Sequence, residues 1–164
     1  MDIALTHHFD HPIADVWAMM HDPAAHVAKF ESMGHKDLEV ISEELTDTSL
    51  DLQIRRTVEI EVPSVAKKFI TPTNTVTSTD HWERRSDGEC GGHFEVDIKG
   101  VPVESKGTTL LVADDDGAGC RYDVTLQVKV KVPLVGEKVA GALRGQLEDQ
   151  LRSEFAAGDT WLSR

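Results

Sequence analysis

CRYDVTLQVKVKVPLVGEKV, residues 120–139, is the stretch on which the fold turns. Up to Val132 it alternates without a break. Cys120, Tyr122, Val124, Leu126, Val128, Val130 and Val132 share one side, and Arg121, Asp123, Thr125, Gln127, Lys129 and Lys131 share the other. That period of two is a strand with one dry face and one wet face. Pro133 cannot donate to a ladder, and beyond it the apolar spacing changes to every fourth residue: Val139, Leu143, Leu147, Leu151 and Phe155, widened by Ala140, Trp161 and Leu162. This predicts an amphipathic helix over Val135 to Leu162, which needs a large apolar surface to lie on.

Upstream strands supply that surface. The first is expected at Asp2 to Phe9. Asp10 and Pro12 then open a short helix with Ile13, Val16, Trp17 and Met20 on one side, and Asp22-Pro23 opens another with Val27, Phe30 and Met33 inward. From His35 onward the pattern is β. Strand two is expected at 37–44, strand three at 50–62 with its even positions inward, and strand four at 75–85. On strand five Phe94, Val96 and Ile98 face in, and on strand six Thr108, Leu110 and Val112. Strands joined by short turns are antiparallel, because parallel neighbours need long crossovers. The prediction is one α+β domain over 1–164: a curved seven-stranded antiparallel sheet, two short helices after strand one, and a long C-terminal helix over the concave face.

That order resembles the helix-grip fold of the START-like superfamily, which includes pollen-allergen-like proteins, polyketide aromatase/cyclases, lipid-transfer domains and co-chaperones. More narrowly, Leu5-Thr6-His7-His8-Phe9, Val16-Trp17-Ala18-Met19-Met20-His21-Asp22-Pro23, Gly92-His93-Phe94-Glu95-Val96 and the run Val128 to Val139 resemble an actinobacterial branch of that superfamily. The resemblance implies a fold and a cavity between sheet and helix. It carries over no catalytic residue.

With 17 basic against 29 acidic residues the net charge is −12, which repels a phosphate backbone, so nucleic acid is not an expected partner. No apolar run reaches the roughly 18 residues that span a bilayer, so no stable membrane insertion is expected. Met1 to Asp10 lacks a basic, then apolar, export pattern, and a cytoplasmic location follows as the expectation. Both cysteines are expected to be reduced. The eight histidines lack metal-ligand spacing, and no nucleotide or nucleophile motif occurs, so no metal or cofactor is expected.

Candidate residues for a cavity are Trp17, Met20, Phe30, Met33, Trp82, Phe94 and Tyr122 as an aromatic and thioether lining, with Leu110, Leu126, Leu143, Leu147 and Leu151 beside them. Any one of the large side chains serves equally well as plain core. Gln146, Gln150 and Glu154 border the helix stripe, with Glu154 expected to face water. Arg56 interrupts the apolar face of strand three. Either a bulge at Arg55-Arg56 turns it outward, which is the expected reading because a guanidinium is rarely buried alone, or it points inward and pairs with Asp80 or an anionic guest. Three functions follow: binding or transport of a hydrophobic small molecule or lipid, an aromatase/cyclase-like enzyme, or a co-chaperone-like interaction module. A mixed polar pocket favours the enzyme, a purely apolar pocket the carrier, and a filled core the module.

Overall fold

The structure, a computed structural model, describes residues 1–164. The elements are β1 (Asp2–Phe9), α1 (Ile13–Met20), α2 (Pro23–Ser32), β2 (Lys36–Leu45), β3 (Ser49–Glu59), a 3-10 turn (Ser64–Ala66), β4 (Thr73–Ser86), β5 (Glu89–Ile98), β6 (Val103–Ala113), β7 (Cys120–Val130) and α3 (Gly136–Leu162). All seven strands form one antiparallel sheet in the order β1-β7-β6-β5-β4-β3-β2. The chain therefore leaves one edge of the sheet after β1 and re-enters at the other edge as β2, with α1 and α2 carrying it across.

Local chemistry accounts for the boundaries. Asp22 caps α2 by accepting the Ala24 amide at 2.9 Å, and Pro23 takes the first helical position, where its missing N–H is no loss. Asp10 does not cap α1. Pro12 occupies that position, and the Asp10 carboxylate takes His8 instead. Pro63 follows soon after the end of β3, which stops at Glu59, three residues short of the predicted Val62.

Even positions face inward on β3, β4, β5 and β7, as Leu50, Leu52, Ile54, Val76, Trp82, Cys90, Val124 and Leu126 show by their burial. Strand β6 departs from the prediction. Its inner residues are Val103, Ser105, Gly107, Thr109 and Leu111, so Thr108, Leu110 and Val112 lie on the outer face. The register decides this. Phe94 pairs with Gly107 on one side and Leu126 pairs with the same Gly107 on the other, so even inner positions on both neighbours oppose odd positions on β6.

The apolar interior falls into three clusters. The largest joins α1 and α2 to β3 and the start of β5, around Val16, Trp17, Phe30, Leu50, Leu52 and Ile54. The second holds Ile3, Val124, Leu126, Val128, Leu151 and Phe155. The third holds Ala66, Ile70, Val130, Val139, Ala140 and Leu143. The long helix touches the last two along its stripe and the first through Trp161 and Leu162, so α3 packs on all three. No helix is long and apolar enough to cross a membrane.

Candidate functional site

Between the clusters lie two cavities that share a wall. A small lobe of about 180 Å³ sits between the first and second clusters, and a large lobe of about 450 Å³ between the second and third. Arg56, Phe94, Val96, Leu151 and Glu154 line both and form the waist between them.

The candidate residues divide accordingly. Met20, Phe30, Asp80, Trp82 and Tyr122 line the small lobe. Met33, Leu126, Leu143, Leu147 and Gln150 line the large one. Arg56, Phe94 and Leu151 stand at the waist. Two candidates are misplaced. Leu110 lies on the outer face of β6, opposite Gly91 and Asp123, because the parity of that strand is reversed. Trp17 lines neither lobe; it packs in the first cluster with its ring stacked on His21 at 4.8 Å.

Arg56 is inward and no bulge turns it away: β3 pairs with β4 in unbroken register through Arg55↔Thr77 and Arg56↔Val76. Only 4 % of it is exposed. Its Nε donates to His35 Nδ1 at 3.1 Å and its terminal nitrogen to Ser78 Oγ at 2.9 Å, while the guanidinium carbon stands 3.7 Å above the centre of the Phe30 ring. Asp80 is not its partner. That carboxyl lies two sheet rows further along β4, opposite Leu52, and acts on Arg56 only through space. The donor role of Arg56 requires an unprotonated Nδ1 on His35, and burial together with the Arg56 charge holds that imidazole neutral down to about 4.

Further polar groups complete the walls. Lys29 on α2 and Glu154 on α3 form an ion pair at 3.1 Å beside the waist, so Glu154 reaches the cavity wall while staying partly open to water. His26 is buried and bonds the Met20 carbonyl at 2.7 Å, and desolvation lowers it to about 4. Asp80 is raised to about 6, first by burial. Burial also pushes the Tyr122 phenol well up, and no side-chain hydrogen bond offsets the effect at either group. Thr109 Oγ1 is buried without any partner. Sequence reading missed His35, Ser78, Lys29 and Thr109, since an isolated polar residue on a strand, a helix flank or a connecting turn carries no pattern of its own.

These groups fix the acid response. His26 and His35 stay neutral in the folded protein to about 4, whereas unfolded histidine protonates near 6.5, so the stability they give is present above 6.5 and is lost as pH falls toward 4. Asp80 works the other way: with its folded value raised from 3.8 to about 6, its penalty is full at neutral pH and lifts as pH falls through that window. Asp80→Asn should therefore raise stability at pH 7 by on the order of 1–2 kcal/mol and steepen the loss on acidification. Urea melts at pH 7 and pH 4.5 check this, and parallel behaviour of the two proteins would mean that Asp80 is well solvated when folded.

No curated protein matches the sequence. Among solved structures, TTHA0849 from Thermus thermophilus superposes with a TM-score of 0.70 at 12% identity, covering 99% of this chain and 97% of that one. The Zhui aromatase/cyclase from Streptomyces sp. R1128 gives 0.68 at 15% identity over 100% and 94% of the two chains. Ara h 8.0201 gives 0.64 at 10% identity over 99% and 97%. These likenesses show a helix-grip fold of the START-like type. A sequence family described as a protein of unknown function, DUF2505, matches residues 4–162, and the chain belongs to that family.

Proposed function

We propose that the protein binds a hydrophobic small molecule or lipid bearing an acidic group, with the apolar part in the large lobe and the acid at Arg56. One observation carries this reading: a guanidinium 4 % exposed, at the waist between two cavities, with two hydrogen bonds to neutral groups and no carboxylate within ion-pair range. Arg has five N–H donors and suits bidentate contact with a carboxylate, so donors remain for a guest. A buried charge without such a partner is expensive. Lys29 pairs with Glu154, whose charge also reaches Arg56 through space, and Arg56 keeps the free donors that a guest could use.

The walls are mixed, neither purely apolar nor filled, which counts against the interaction module and, by the criterion given above, toward an enzyme. An aromatase/cyclase-like reaction is the second reading, favoured by the Asp80 carboxyl poised near neutrality within the cavity. Binding is preferred because neither Asp80 nor Tyr122 is hydrogen-bonded to a second group that would orient it for proton transfer.

Titration with oleate and with oleyl alcohol tests the proposal. Arg56→Met should weaken oleate by about 1.5–3 kcal/mol, the value of a charged hydrogen bond, and leave the alcohol nearly unaffected. Unchanged affinity for both, or equal loss for both, would remove Arg56 from the site.

A further inference from the structure

We propose that the end of the sheet carrying the connections 60–72, 99–102 and 131–135 is a reversible docking surface for a lipid bilayer with anionic headgroups, and that Leu134 is its apolar anchor. This goes beyond the guest-binding reading and does not depend on it.

Topology sorts the loop charges. In a sheet of antiparallel neighbours, successive connections fall at opposite ends. Where β1 finishes and β7 begins lie residues 10–12, 46–48, 87–88 and 114–119, which hold Asp10, Asp47, Asp87, Asp114, Asp115 and Asp116 and no lysine or arginine. At the other end lie 33–35, 60–72, 99–102 and 131–135, which hold Lys67, Lys68, Lys99 and Lys131 against the single carboxylate of Glu61. The first turn of α3 adds Lys138 and Glu137. The strand ends beside these loops carry both signs, as Lys129 and Lys106 next to Glu104 show. The lysine ion pairs of the protein are Lys29–Glu154, Lys106–Glu104 and Lys131–Glu104, so Lys67, Lys68 and Lys99, all exposed, are unpaired.

A net charge of −12 does not cancel this polarity. Strand β7 has 11 residues, which at roughly 3.3 Å each makes about 36 Å between the two ends. The Debye length at physiological salt is about 8 Å. The aspartate end is therefore screened from a surface that the lysine end touches, and the asymmetry turns the molecule lysines first.

Leu134 gives the basic end an apolar point. It is 105 % exposed, whereas the next most exposed large apolar residue, Leu45, is 51 %. Its φ is +69°, in the left-handed region that leucine rarely enters because its Cβ crowds the carbonyl oxygen. The turn is held on both sides. The Val135 amide donates to the Pro133 carbonyl at 2.9 Å and the Gly136 amide to the Val132 carbonyl at 3.0 Å. A strained turn that holds a leucine wholly outside the fold stabilises nothing within it and marks that residue for an external contact. Val65, Phe69, Val101, Val132 and Val135 are half-buried on the third cluster, which draws the three connections together around this point.

A bilayer is the occupant these features select. Lysine stems lie along apolar surface while their ammonium groups reach phosphate, and each adds to the attraction toward anionic lipid. One apolar anchor with a basic patch gives reversible adsorption, which needs no spanning helix, and none is present. A nucleic acid would use the lysines and leave Leu134 without a role. An acidic protein would need a pocket shaped to Leu134, whereas fluid acyl chains need none. Ile70 and Leu143 belong both to the third cluster and to the walls of the large lobe, so a guest of the kind proposed above would exchange with the bilayer at this end.

Flotation of the full chain with vesicles of phosphatidylcholine alone, and of phosphatidylcholine with about 30 % phosphatidylserine, tests the docking surface. At about 0.1 M salt the anionic vesicles should bind about tenfold tighter or more, and the difference should vanish at about 0.5 M. Leu134→Gly relieves the left-handed backbone, so the melting temperature should not fall while binding weakens by about fivefold or more. Lys67→Glu with Lys68→Glu should bring the anionic vesicles down to the neutral level. Arg84→Glu with Arg121→Glu makes the same change of charge at the aspartate end and should stay within about twofold of the unsubstituted protein. Equal partition to both vesicle types, full binding by Leu134→Gly, or equal loss from the two charge-reversed pairs overturns the proposal. So does absence from vesicles together with salt-sensitive binding to polyglutamate, which would assign this end to an acidic protein. Flotation is read without any guest, so its failure leaves the oleate reading standing, and failure of the oleate titration leaves the docking surface standing.

Discussion

Replacing Leu126 by aspartate is expected to unfold the protein. Leu126 is 6 % exposed, packs with Ile3, Val124, Val128 and Leu151, and faces α3 across the large lobe. The substitution removes a buried leucine, which by itself costs about 2–5 kcal/mol, and adds a carboxylate among the apolar side chains of the second cluster. Against a total stability of about 5–15 kcal/mol that is enough to empty the folded state. The adjacent Gln127 is exposed on the outer face between Asp2 and Lys106. Gln127→Asp meets one like and one unlike charge and should change stability by less than about 0.5 kcal/mol. Circular-dichroism melts of the two variants decide the matter, and equal tolerance at both positions would refute the register of β7.

Gly92 and Gly141 should respond to alanine with opposite signs. A Cβ at Gly92 would overlap the carbonyl oxygen of His81 on the neighbouring strand. That atom is backbone, so relief requires parting β4 from β5 where Trp82 pairs with Gly92, and a loss of about 3 kcal/mol or more is expected. At Gly141 on α3 nothing lies within 4 Å of the added carbon. There the gain in helix propensity, about 1 kcal/mol, should appear almost undiminished. Urea midpoints measured side by side would show the contrast, and a neutral Gly92→Ala would mean that the two strands are not so closely apposed. The bare Gly92 also leaves room between Trp82 and Thr109, and Gly107 lets the Phe94 ring lie across it at the waist.

What could be read from the sequence follows from how far each signal repeats. The alternation of β7 and the fourfold spacing of α3 each run through many residues, and both elements stand where the pattern puts them. Strand β6 is different. Thr108, Thr109, Leu110, Leu111 and Val112 are apolar or weakly polar in both parities, so its facing is set by hydrogen-bonded neighbours and not by its own composition. Leu110 was drawn into the candidate site by that ambiguity. Arg56 is a different case: its position in the alternation pointed inward, but the general rule against lone buried charges argued for a bulge. His35, Ser78 and the Phe30 face, which together accept the guanidinium, come from the residue before β2, from β4 and from α2, and meet only in three dimensions. Trp17 shows the reverse error, a large side chain read as lining that closes the first cluster.

If the lobes hold a guest as proposed, an interior divided into three clusters would tie the abundance of this protein to the supply of that guest. A molecule that binds only the folded chain adds RT ln(1 + [L]/Kd) to stability, about 2.7 kcal/mol at a hundred times Kd. Such a molecule would bridge the clusters around the waist, acting as a removable piece of core. Chains that lack it would populate opened states more often and meet proteases more often. The amount of protein in the cell would then rise and fall with the concentration of the small molecule, without any change in transcription or any dedicated sensor, simply because the occupied form lasts longer.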